Sequence, residues 1–155
     1  VISAFIIFIL LAISLFIATF LEYAWRLYRI YKEELKEESK GLYGEAVCYL
    51  DKKPYKSLIA SHIKPCIDCL KEHREDQAYD VDNGLLLSPT ADSYFDKKDI
   101  SFADDGTVLV GKNVAEAVRV DFEKLKLDAR VLNERRKRYL EYHRRLFEQK
   151  NGEKE

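Results

Sequence analysis

Hydrophobic and polar positions divide this chain into an apolar head, a charged helical stretch and a mixed remainder. Residues 1–21 carry no charge and no proline, and their only polar members are Ser3, Ser14 and Thr19. As a helix such a run reaches roughly 30 Å, the thickness of a bilayer's hydrocarbon core. Glu22, Tyr23 and Trp25 follow, then Arg26, Arg29 and Lys32. Interfacial aromatics and then cations are the expected cytoplasmic end of a span. The pattern predicts a transmembrane helix over 1–22, with membrane contact through residues 1–21, a single-pass topology in an inner or cell membrane and everything downstream in the cytoplasm. A cleaved signal sequence or a buried core helix are the competing readings; no clean Ala-x-Ala site supports the first. Residues 23–40 continue without Pro or Gly and read as a solvated helical stalk. Gly41 and Gly44 break that pattern, so a folded domain is expected over 41–150 and a disordered tail over 151–155.

Within the domain, Tyr55–Ile63 is β-prone and Pro65 stops it, which leaves His62 at a strand end. Lys71–Asp82 reads as a charged, loop-like insertion. Asn83-Gly84 is a turn signal, Leu85–Leu87 a short buried strand, and Ser88-Pro89-Thr90 a helix start with Ser88 or Thr90 as cap. Asp92 and Asp96, four apart, then share one helix face. Asp104-Asp105-Gly106 joins Ile100–Ala103 to Thr107–Val110 as a hairpin turn, not a calcium loop. Residues 115–150 are helical by composition, with Val131, Leu132, Tyr139, Leu146 and Phe147 as the inward stripe; His143 reads as packing or capping.

Composition narrows this little. The 155 residues are 34% charged and 47% hydrophobic, as in an ordinary folded protein, and the net charge of −1 gives no general attraction to a polyanion. Basic clusters at Lys52-Lys53, Lys97-Lys98, Arg135–Arg138 and Arg144-Arg145 are each diluted by acidic neighbours. The three cysteines suit a reducing compartment. Cys48, Cys66, Cys69 and His73 have the residue types of a structural zinc site, but with one Cys-x-x-Cys pair buried or incidental thiols are the simpler reading.

The chemistry concentrates in His62, Asn83, Asp92 and Asp96, spaced by 21, 9 and 4 residues. Cleaving a phosphodiester needs a base for water, a cation for the developing charge and a group that fixes the base. Neutral imidazole at His62 suits the first, and the hard oxygens of Asp92 and Asp96 suit Mg²⁺ or Mn²⁺. Asn83 would either orient the His62 ring or hold the loop between the strands. The segments Ala60–Pro65 and Asn83–Gly106 resemble the HNH endonucleases, in particular their restriction-endonuclease-like branch, and the basic helix from Glu134 to Arg144 is similar to the closing helix of those proteins. The resemblance covers roughly 45–147. It implies an α+β fold, a ββα-metal finger with flanking helices, here preceded by the transmembrane helix. It also implies DNA as substrate, one Mg²⁺ or Mn²⁺ per site, and the catalytic pair His62 and Asn83. Double-strand cleavage would favour a homodimer. In related bacteriocin nucleases the two helix ligands are histidines, so Asp92 and Asp96 keep the positions and change the ligand type. Ser61 stands where many members carry an additional ligand, and Cys66 where the branch often has tryptophan. These departures leave open a catalytically weak scaffold that binds nucleic acid or a protein partner; a secretion signal at the N-terminus would instead make an exported nuclease.

Overall fold

The computed structural model describes residues 3–152; Val1, Ile2 and the last three residues of the expected tail lie outside them. Two compact units emerge, 1–30 and 31–155. The first consists of the apolar part of α1 (Ala4–Tyr43), long and apolar enough to cross a membrane. None of its most apolar window is buried.

The second unit begins ten residues before Gly41. Tyr31 and Leu35, on the last turns of α1, are fully buried, as is Ser39, whose hydroxyl accepts from the Val47 amide at 2.9 Å. The solvated stalk expected over 23–40 is therefore corrected from Tyr31 onward: positions 31, 35 and 39 recur once per helical turn and face inward, while Glu33, Lys36, Glu37 and Lys40 pair along the outer face. Gly41 lies inside the helix. Gly44, at φ +84°, ends it in the left-handed conformation that glycine adopts without strain.

β1 (Ile59–His62) pairs antiparallel with β2 (Gly84–Leu87), and His62 stands opposite Gly84. Every residue of β2 is buried, and the Tyr49 amide donates to the Leu86 carbonyl at 2.7 Å. Between the strands lies α2 (Cys66–Lys71), and the loop expected over 71–82 contains local structure of its own: α3 (Glu75–Ala78) and the start of a 3₁₀ turn at Val81–Asn83. α4 (Pro89–Asp96) starts as the sequence indicates, with the Ser88 hydroxyl accepting from the Ala91 amide at 3.2 Å and Pro89 in the first turn. It packs against β1 and β2. β3 (Ile100–Phe102) and β4 (Val108–Val110) form the expected hairpin, with Gly106 at φ +89° in its turn.

The stretch 115–150, helical by composition, holds two helices, α5 (Glu116–Glu123) and α6 (Glu134–Gly152), separated by a linking segment. His143, on α6, is fully buried against Phe95, with ring centroids 3.9 Å apart, and bonds Ser101 Oγ and the Phe95 carbonyl. Asn151, expected in a disordered tail, closes α6 onto the β-hairpin: its Oδ1 accepts from the Lys112 amide at 3.0 Å and its Nδ2 donates to the Lys98 carbonyl at 3.1 Å.

Candidate active site

Pairing of β1 with β2 puts His62 at the open end of the ladder, where the chain turns into the 63–83 segment. Its Nε2 lies 2.6 Å from the Ala78 carbonyl oxygen. A carbonyl only accepts, so Nε2 carries the proton and the lone pair of the neutral ring sits on Nδ1. Burial lowers the His62 pKa below the ordinary histidine value, against the smaller raising effects of that hydrogen bond and of the Asp96 charge. The imidazole is thus neutral at physiological pH and held in one tautomer.

Asn83 resolves to the second of its two expected roles. Its Oδ1 accepts from the Lys64 amide at 2.7 Å, and its Nδ2 donates to the carbonyls of Lys64 at 3.1 Å and Gln77 at 2.9 Å. No hydrogen bond runs from Asn83 to the imidazole. The residue instead clamps both ends of the intervening segment, and Gln77 is the neighbour of Ala78, whose carbonyl anchors His62.

α4 brings its acidic face to β1. Asp92 is partly buried and its pKa is raised, first by desolvation and then by the Asp96 charge, while a hydrogen bond from Ser61 opposes the rise. Ser61, the departure from the motif, is buried next to His62 and acts to lower the Asp92 pKa. Two mutually repelling carboxylates, one losing water contact, form a hard-oxygen donor pair that a divalent cation would relieve. Among the described residues no three His, Cys, Asp or Glu side chains converge here, so Mg²⁺ or Mn²⁺ would rest on this pair alone, with water or phosphate filling the remaining positions.

The zinc site is not assembled. Among the described residues no three His, Cys, Asp or Glu side chains converge to hold a metal. Cys66 and Cys69 share α2, and the Cys69 thiol lies 3.8 Å from Asn83 Nδ2. The Cys48 thiol instead faces backbone of Leu50, Asp51 and Ser88, and His73 is an exposed left-handed residue after α2. Burial raises the pKa of all three thiols, which keeps them protonated and unreactive.

Two side chains beside His62 went unread in the sequence. Tyr31 stacks on the imidazole with centroids 4.9 Å apart and planes 19° from parallel, and Tyr79 meets it edge-on at 6.2 Å. Tyr79 sits in the charged insertion between the strands, and Tyr31 among the charged residues that follow the apolar head.

A groove of about 570 Å³ opens between the 64–77 segment and α6, lined by Lys64, Arg74, Arg135, Arg138 and Arg145 against the single carboxylate of Asp76. Arg74 pairs with Asp76 at 2.9 Å and Arg135 with Asp80 at 2.6 Å, whereas Arg138 is exposed and has no ion pair among the described residues.

No curated protein matches this chain. Residues 45–103, which carry β1, β2, α4 and the side chains of His62, Asn83, Asp92 and Asp96, match the family model described as HNH endonuclease, and this supports placing that segment in the HNH family.

Proposed function

We propose that this chain is a membrane-anchored, metal-dependent HNH endonuclease that hydrolyses DNA phosphodiester bonds on the cytoplasmic side of its membrane, foreign DNA being the substrate that suits such a location. The observation that carries this reading is the fixed tautomer of His62 beside an acidic helix. Nε2–H is engaged by the Ala78 carbonyl, so Nδ1 is the acceptor that takes a proton from water. Asp92 and Asp96 would hold the Mg²⁺ or Mn²⁺, and the ion would stabilise charge at the scissile phosphate and leaving oxygen. Asn83 acts through the loop that it clamps. β1, β2 and α4 would together form the ββα-metal finger of the restriction-endonuclease-like branch, and a homodimer would present two such sites to the two strands.

The test is plasmid nicking by the full chain in detergent micelles, with Mg²⁺, Mn²⁺ or EDTA. Cutting requires the metal, and His62→Ala lowers the rate by ~10² or more, the scale of losing a general base. An unchanged rate in that variant removes His62 from the mechanism. Ser61, which supports Asp92 rather than adding a charged ligand, favours one second reading, a catalytically weak scaffold. Calorimetric titration separates the two, because the nuclease binds Mn²⁺ with a dependence on Asp92 and a scaffold need not.

A further inference from the structure

We infer that Tyr31 is a positioning residue for His62, so that the helix preceding the matched segment completes the candidate active site. The inference rests on the nuclease reading for its kinetic consequence, but not for its geometry. A single hydrogen bond from Nε2 to the Ala78 carbonyl leaves the imidazole free to pivot about that bond. A flat aromatic contact removes the remaining freedom, and Tyr31 supplies one at 4.9 Å and 19°. The same side chain donates its hydroxyl to the Asn83 carbonyl at 2.8 Å, which fixes the tyrosine to the turn that leads into the strand opposite the histidine. Tyr31 is fully buried, so the ring has little room to move away.

The slot for Tyr31 is written into β2. His62 pairs across the ladder with Gly84, and a Cβ on Gly84 would collide with the Tyr31 hydroxyl and come within 2.8 Å of Leu35. The bare backbone of Gly84 is what lets α1 approach the strand end. Neither Tyr31 nor the rest of α1 lies within residues 45–103, so the matched segment lacks this support.

The experiment uses the full chain in detergent micelles, labelled with ¹⁵N and ¹³C at its three histidines. His62→Ala identifies the His62 resonances. In the wild type, the carbon-bound ring protons of His62 are shifted upfield by the Tyr31 face, and the ¹⁵N shifts report a single Nε2–H tautomer. Tyr31→Phe keeps both signatures and nicks plasmid within about threefold of wild type, because the stack persists. Tyr31→Leu loses the upfield shift, mixes the tautomers and lowers kcat roughly 10–100-fold with little change in KM, the cost of a misplaced base. Unchanged His62 resonances or an unchanged kcat in a folded Tyr31→Leu chain overturn the inference. Should that variant fail to fold, an ordinary, unshifted His62 spectrum in the wild type overturns it, and a shifted spectrum kept in Tyr31→Phe upholds it. Failure of the wild type to cut with any metal strikes the nuclease reading alone, since the spectra still decide the placement of His62.

Discussion

His143 carries the largest resolved histidine shift, its pKa pushed down to about 4 by burial, with Lys98 and Arg144 adding smaller effects in the same direction and the Phe95 carbonyl opposing them. The folded chain holds it neutral, whereas an unfolded chain protonates it near its ordinary value of about 6.5. Below that value the unfolded state binds the extra proton, so the contribution is fully present above about pH 6.5 and is lost as pH falls toward 4. The amount is on the order of 3 kcal/mol. His62, lowered by burial as well, adds in the same direction. Urea midpoints between pH 7 and 4 should fall steeply, with a shallower slope in His143→Gln. At this scale the sequence was legible where a residue's role follows from its own strand or helix: His62 ends β1, and Asp92 and Asp96 share a face of α4. It left Asn83 divided between two roles because both use the same carboxamide, and only the tertiary arrangement decides which backbone groups lie beside it.

Helix phase governs the next scale. Arg135-Arg136-Lys137-Arg138 looks like one basic cluster along the chain, but successive residues on a helix point about 100° apart. Arg136 is buried, donating to the Val131 carbonyl at 2.7 Å and the Val81 carbonyl at 3.0 Å, and pairing with Glu38 at 3.0 Å. Lys137 pairs with Glu134 at 2.9 Å. Arg144, likewise clustered in sequence with Arg145, bonds the Phe102 carbonyl and Asp104. Arg138 and Arg145 are left facing the groove on α6. Replacing Arg138 by Glu should weaken DNA binding across sequences and reduce the slope of log affinity against log salt by about 1, as expected for a phosphate contact. Fluorescence anisotropy in EDTA reads this apart from cleavage, and an unaltered slope would take the groove out of DNA binding. The inward stripe Tyr31, Leu35 and Ser39 was in the sequence at helical spacing, but the run Glu33 to Lys40 is so rich in charge that its polar face dominates the reading.

For the molecule as a whole, the core of the second unit extends past residues 45–103 on both sides: Tyr31 and Leu35 from α1, and Leu127, Val131, Leu140 and Phe147 from the C-terminal stretch, are buried along with Tyr49, Ile63, Leu85–Leu87 and Phe95. Residues 45–103 lack both flanking contributions. A fragment limited to 45–103 should therefore show no cooperative thermal transition by circular dichroism, whereas one spanning 24–152 should retain it; small domains stripped of much of their buried surface rarely fold alone. The glycines at 41 and 44 suggest a domain edge because they interrupt a helical pattern. Gly44 does end a helix, but the end of a helix and the start of a core are separate events, and here the core starts first.

The inward face of α1 also sets a rule for transplantation. A cassette moved to another anchor, or fused to a soluble carrier, has its natural splice point ahead of Tyr31, not at the glycines. A junction placed at Gly41 would hand the recipient a nuclease-like module with an open seam beside its histidine, and swapping in a foreign helix would restore it only if that helix presented an aromatic ring and a leucine-sized apolar residue one turn apart.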